Sequence, residues 1–263
     1  MTIMEEQSVK LSINGPVAEV VINRPQSLNA LNADVLQALV LIVDKLEKNS
    51  DLRVVIVSGE GKKAFVAGAD IHSMAGLGPR PMADYIELGQ RVMRRIELMP
   101  IPFIVAMNGY ALGGGLELAL ACDVIVASQS ARLGQPEVNL GIIPGFGGTQ
   151  RLIQRCGIGT ARRLVYTGEI IDAAEALRLG LVDKVSAPEE LDNIVKEMAR
   201  TIVSKAPLAI AKAKEVIRQS QETHLLSGLR LEIEAFLSLF ATADREEGMS
   251  AFMQKREPKF SGR

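Results

Sequence analysis

The chain has 263 residues and a mass of 28.4 kDa, enough for one large domain or one domain with a small appendage. Lys and Arg total 30 against 31 Asp and Glu, and a net charge of −1 gives no long-range field to gather nucleic acid or an anionic membrane. No apolar run approaches the roughly 20 residues of a membrane span, and the polar, acidic start Met1-Thr-Ile-Met-Glu-Glu is unlike a secretory signal, so a cytoplasmic protein is expected.

In chain order, Val9 to Ile13 and Val17 to Ile22 are β-rich runs separated by Asn14-Gly15, a hairpin signal. Asn32 is placed to cap a helix whose apolar positions Val35, Leu36, Leu39, Val40, Ile42, Val43 and Leu46 recur at helical spacing. Arg53 to Val57 reads as a buried strand, and Ala64 to Met74 as a loop entering a short helix. Met82 to Leu98 is helical, stopped by Pro100 and Pro102. Phe103 to Met107 and Asp123 to Ala127 are further strands, with a glycine-rich turn and a short helix between them. Alternation at this spacing predicts a largely parallel sheet covered on both faces.

After about Thr149 the pattern turns helical: Gln150 to Cys156, Thr160 to Tyr166 and Asp172 to Leu179. One short strand is expected over Leu181 to Val185. Pro188 to Ser204, Pro207 to Ser220, Thr223 to Ala241 and Arg245 to Lys255 then follow as helices. The division expected is an α/β core over residues 1–200 and a helical part over 201–263, packed together because no Pro/Ser-rich linker separates them. No strict internal repeat is visible.

The most informative segment is Asn108-Gly-Tyr-Ala-Leu-Gly-Gly-Gly-Leu-Glu-Leu-Ala-Leu-Ala-Cys-Asp123. Gly113, Gly114 and Gly115 let a ligand approach the backbone closely, and a helix opening there offers unpaired N–H groups to an oxyanion. Glu117 stands one turn further on. A second carboxylate, Glu137, follows 20 residues later behind Pro136, ahead of the turn Gly145-Phe-Gly-Gly148. Two such units in a βα arrangement can bring both acids to the carboxyl edge of one sheet, where open sheets bind ligands. Paired carboxylates suit general acid–base chemistry, since repulsion and burial hold one protonated while the other ionises. The plainer alternative is that each glutamate caps a helix or pairs with an arginine.

A third segment, Ala64 to Met74, carries the small residues Ala67, Gly68 and Ala69, with Asp70 as a helix-cap candidate. Either it is a capped helix entry and nothing more, or the Ala67 N–H faces Gly114 as the second donor of an oxyanion hole. Other motifs fail. Gly59-Glu-Gly-Lys-Lys-Ala64 matches a relaxed dinucleotide fingerprint but is not followed by the helix that site requires. No P-loop or nucleophile elbow is present. The isolated His72 and His224 support neither a catalytic triad nor a metal site. Cys122 and Cys156 show no C-x-x-C spacing and are read as reduced. Asp123 is read as a turn or cap residue; Tyr110 and Phe146 either line a pocket or pack.

Taken together, Asn23-Arg-Pro with Leu28-Asn-Ala-Leu31, Ala64 to Ile71, Asn108 to Ala119, Gly134-Gln-Pro-Glu137, Gly141 to Leu152 and Phe240 to Phe252 occur in the order found in the crotonase superfamily. Over nearly its whole length the chain resembles that superfamily, and most closely its enoyl-CoA hydratases. The resemblance implies an α/β fold: a spiral of ββα turns with a C-terminal helical trimerisation region, assembled as a trimer or a dimer of trimers. It implies an acyl-CoA substrate, with coenzyme A as part of that substrate and no separate cofactor or metal. The family's oxyanion hole falls on Ala67 and Gly114 and its two acids on Glu117 and Glu137. Contacts to substrate and CoA are carried over to Leu28, Ala69, Asp70, Ile71, Gly113 and Gly145. Having both acids favours hydration of trans-2-enoyl-CoA to 3-hydroxyacyl-CoA over isomerisation or other thioester chemistry. Where the family often carries a lysine before Asn-Ala-Leu, Gln26-Ser27-Leu28 stands here, so a side-chain contact from this point to the nucleotide phosphates is not carried over, while backbone contacts are. A few relatives bind RNA; Arg91, Arg94-Arg95 and Arg162-Arg163 are this chain's only basic clusters suited to that, and they read as solvated helix faces.

Overall fold

Successive turns of the chain each lay one strand into a large sheet and one into a small sheet, then return through a helix. The computed structural model describes residues 2–6 and 8–263; Met1, part of the acidic start, lies outside them. The chain opens with β1 (Thr2–Glu6), β2 (Val9–Asn14) and β3 (Val17–Ile22), an antiparallel meander. The β2–β3 turn sits one residue later than expected: Asn14 already pairs with Val17, so Gly15, at φ +59°, and Pro16 make the loop. Helix α1 (Ala33–Glu47) starts at the expected cap, where the Asn32 side chain accepts from the Val35 N–H at 3.0 Å, and it buries the predicted apolar face.

Three ββα units follow. The first is β4 (Val54–Gly59), β5 (Ala64–Val66), α2 (Ile71–Met74) and α3 (Pro79–Leu98). The second is β6 (Phe103–Met107), β7 (Tyr110–Leu112) and α4 (Gly114–Leu120). The third is β8 (Val124–Ser128), β9 (Arg132–Gly134), a 3-10 turn at Pro136–Leu140 and α5 (Gly148–Thr167). Helix α5 is broken at Gly157 (φ 79°, ψ 160°), which is why its sequence reads as two helices. Then come β10 (Ile170–Asp172), α6 (Ala173–Arg178) and β11 (Lys184–Ser186), the last displaced from the expected 181–185 because Leu181 and Val182 are spent in a buried turn.

The large sheet has the order β1-β2-β3-β4-β6-β8-β11, parallel from β3 onward, and the small sheet the order β10-β9-β7-β5. This is the ββα spiral implied by the resemblance. Its small sheet corrects the reading of Ala64 to Met74 as loop and helix alone.

Strand β4 explains the layering. Val55 and Val57 face the main core with α1 and α3, while Val54 and Ile56 face a second core closed by Leu191, Val195 and Ala199 of α7 (Leu191–Val203). Helix α7 therefore belongs to the sheet layers and runs through the expected 200/201 boundary. The packing changes only after it, with α8 (Pro207–Gln219), α9 (Leu225–Phe240) and α10 (Ala243–Gln254). Lys214 ties α8 to the core: its ammonium meets Asp123 at 2.8 Å and donates to the Ile101 carbonyl at 3.0 Å. Asp123 in turn accepts from the Phe103 N–H, so it is structural, as read. Among the described residues no helix is long and apolar enough to cross a membrane.

Candidate active site

The spiral brings its glycine-rich turns to one edge, around an apolar cleft of about 230 Å³. Ala67, Ala69, Ile71, Gly113, Gly114, Glu117, Glu137 and Gly145, all predicted site residues, line it. Leu28 and Asp70 do not. Leu28 occupies the neighbouring turn in a left-handed conformation, φ 50°. Asp70 caps α2 and pairs with Arg24 at 2.9 Å. Burial opposes the charge of Asp70, but Arg24 and the Ser73 N–H outweigh it and hold the carboxyl below its ordinary value.

Each of the three glycines in the β7–α4 turn answers to a different neighbour. Gly113 sits at φ +48°, and a Cβ there would come within 2.7 Å of Glu137 Oε1. At Gly114 a Cβ would press on the Phe146 ring at 3.1 Å and lie 3.5 Å from the Ala69 nitrogen. At Gly115 it would meet the Val66 carbonyl oxygen of β5 at 1.9 Å. The run thus lets α4 dock against β5 while leaving the cleft side open. Helix α4 begins at Gly114, within the glycine run where it was expected, and among the described residues the Gly114 N–H has no acceptor.

The second expected donor needs correction. The Ala67 N–H donates to the Leu28 carbonyl at 3.0 Å and is therefore spent. Among the described residues the Ala69 N–H, like that of Gly68, has no acceptor, and the Ala69 nitrogen lies 3.5 Å from where a Cβ on Gly114 would stand, which makes it the partner for Gly114. Its neighbours are fixed on both sides, because the Gly68 carbonyl accepts from Leu31 N–H and the Asp70 N–H donates to the Leu31 carbonyl. Tyr85 locks the same point, its hydroxyl donating to that Leu31 carbonyl at 2.8 Å.

Glu117 is 1% exposed. Its Oε1 accepts from the Phe146 N–H at 2.8 Å and the Gly148 N–H at 2.6 Å, at the mouth of α5. Glu137 is half-buried on the 3-10 turn, and the side-chain amide of Gln135, which has no exposed surface, lies 2.9 and 3.0 Å from the two Glu137 oxygens; the amide orientation that satisfies both side chains points its NH2 at them. Burial pushes Glu117 up to about 7; the Glu137 carboxylate adds to the rise, while the Gly148 and Phe146 N–H groups oppose it. Burial likewise pushes Glu137 up to about 7. Two carboxyls near neutrality beside one cleft can hold one proton between them, one serving as base and the other as acid.

Sequence reasoning missed Gln135, Tyr85 and Arg151. Gln135 stood in plain view in Gly134-Gln-Pro-Glu137, and only its burial reveals that it orients the acid. Phe146, left open between packing and lining, does both: its ring meets Tyr85 edge-on at 5.4 Å and lines the cleft. Tyr110 is exposed and lines no part of the cleft. Three arginines of the basic clusters are held in ion pairs, Arg94 with Glu97 and Glu222, Arg95 with Asp44 and Glu47, and Arg163 with Glu169 and Glu175. Among the described residues no group of three or more His, Cys, Asp or Glu side chains could hold a metal ion.

The chain is similar to known proteins over nearly its whole length. The profile of the enoyl-CoA hydratase/isomerase family matches residues 12–263. The short-chain-enoyl-CoA hydratase of Clostridium acetobutylicum is 47% identical, covering 97% of each chain. The crotonyl-CoA hydratase of Syntrophomonas wolfei is 44% identical over 98% of this chain and 99% of its own. The crystal structure of enoyl-CoA hydratase from Bacillus anthracis superposes with a TM-score of 0.95 at 40% identity, covering 98% of this chain and all of that one. With the motifs, the spiral and the profile in agreement over nearly the whole chain, the chain belongs to the enoyl-CoA hydratase/isomerase family.

Proposed function

We propose that this protein is an enoyl-CoA hydratase that adds water reversibly and syn across a trans-2-enoyl-CoA to give 3-hydroxyacyl-CoA. The observation that carries the reading is the joint presence, on one apolar cleft, of two carboxyls raised to about 7 and two unpartnered backbone N–H groups. The thioester oxygen sits between the N–H groups of Ala69 and Gly114. Donors fixed before the reaction stabilise the enolate oxygen more than the ground-state carbonyl, by a few kcal/mol each. Charge drawn onto that oxygen makes the β-carbon electrophilic.

Glu117, with Oε1 held by two N–H groups, keeps Oε2 for a water and takes its proton as the oxygen bonds to the β-carbon. Glu137 gives its proton to the α-carbon, and Gln135 keeps that carboxyl aimed at the cleft. The net change is one water added and one C=C bond lost, with a proton exchange between the two acids restoring the start. An isomerase needs only one group to move a proton along the chain; the second acid favours hydration.

Among the described residues no Lys, Arg or His lines the cleft, so an uncharged hydrocarbon tail suits it better than a carboxylated one. The names of the two curated relatives support a short tail. Coenzyme A enters as part of the substrate, with its contacts on the Leu28 turn and the Ala69–Ile71 segment, and no separate cofactor takes part. The exposed apolar face of α9 and α10 supports a trimer or a dimer of trimers, with the helical region after α7 making the assembly; we place the enzyme in the cytoplasm.

Incubation with crotonyl-CoA in ¹⁸O-labelled water tests the reaction. Product heavier by one labelled water, with the label at the 3-hydroxyl, is expected. Double-bond migration without a mass change would assign the isomerase reaction instead.

A further inference from the structure

The turn that grips Glu117 is itself held from behind. Phe146 and Gly148 point their N–H groups at the carboxylate, and the Phe146 carbonyl of the same turn accepts from Arg151 Nη1 at 2.9 Å. Gly147, between them at φ +105°, leaves room for that guanidinium; a Cβ there would meet Nη1 at 2.3 Å. The other end of the fork, Nη2, reaches Glu97 on α3 at 3.1 Å. Glu97 is fixed in turn by Arg94 at 3.0 Å, and Arg94 reaches Glu222 beyond α8. Arg151 is largely buried, so this contact is screened little by solvent.

We propose that Arg151 is a positioning residue for Glu117: its guanidinium clamps the Phe146 carbonyl and thereby holds the two N–H groups of the 146–148 turn on the carboxylate. The inference rests on the assignment of Glu117 as an acid–base group. Arg does here what Lys cannot, since the fork spans a carbonyl and a carboxylate at once. The clamp also sets a charge behind the acid. The titratable groups facing Glu117 are Glu137 from the 136–140 turn, the Tyr85 phenol from α3 and Arg151 from α5. Facing Arg151 are Glu97 from α3 and the Cys122 thiol after α4. Among the charged groups facing Glu117, Arg151 alone favours its ionised form.

Three variants, Arg151→Gln, Arg151→Lys and Glu97→Gln, would be measured beside wild type in crotonyl-CoA hydration, across pH. Arg151→Gln should lower kcat by about 10-fold or more, with KM changed far less, as befits a group that acts on a catalytic acid. The acid limb of its kcat/KM profile should move to higher pH by about half a unit or more, because an attractive charge is gone. Arg151→Lys should return the limb toward its wild-type position without restoring kcat. Glu97→Gln, which leaves Arg151 unneutralised, should move the limb to lower pH. Wild type without hydratase activity would overturn the functional reading on which the proposal rests. An active wild type with the limb unmoved in Arg151→Gln and in Glu97→Gln would overturn the clamp alone. Should Arg151→Gln fail to fold, the Glu97→Gln limb decides: a shift to lower pH supports the clamp, and no shift overturns it.

Discussion

The two glutamates are expensive residues to keep. Glu117 titrates near 4.5 in an unfolded chain and near 7 when folded. Between those values the folded state binds more protons than the unfolded one, so stability falls as pH rises from about 4.5 to about 7 and stays lowered above that. The penalty approaches roughly 3 kcal/mol for Glu117. Glu117→Gln keeps an acceptor for the Phe146 and Gly148 N–H groups and removes the charge. It should melt above wild type at pH 8 and converge with it near pH 4. A variant melting below wild type at pH 8 would show that the buried charge is not a burden. At this scale the sequence revealed residue types better than it revealed which groups are free. Glu117, Glu137 and Gly114 stood out as candidates from glycine and carboxylate spacing, and the family resemblance gave them their roles. The exchange of Ala67 for Ala69 was not legible, because it turns on the left-handed Leu28 carbonyl arriving from 39 residues upstream to take the Ala67 N–H.

Elements with a long period were legible, and short ones were not. Helices α1 and α9 carry several turns of apolar spacing and appear close to where the pattern puts them. Strands β5, β7, β9 and β10 have three residues each, too few to show an alternation. Yet these strands form the small sheet on which the site is built, and β5 is the surface α4 docks against. Gly115 is the point of contact. Gly115→Ala should destabilise the protein by about 1–3 kcal/mol, the usual cost of overpacking, read from urea unfolding midpoints. It should also lower hydration, since α4 carries Glu117. A change within 0.5 kcal/mol, about the scatter of neutral substitutions, would mean that α4 docks less tightly against the Val66 carbonyl than the clash of an added Cβ implies.

For the molecule as a whole, the surface is the least finished part. Leu226 is 77% exposed, Phe236 60%, Leu237 62% and Phe252 85%, a concentration on α9 and α10 that a monomer would keep in water at a cost. Light scattering should give the mass of a trimer or of two trimers. The double change Phe236→Asp with Leu237→Asp should shift that mass toward one chain. Wild type running as a monomer at micromolar concentration would contradict the assembly.

The central claim is that both acids act in hydration, and steady-state hydration of crotonyl-CoA by Glu117→Gln and Glu137→Gln, at matched folding and pH, tests it most directly. Each variant should lose at least about 100-fold in kcat, the size of one general acid–base contribution. Activity near wild type in either one would contradict the two-acid account.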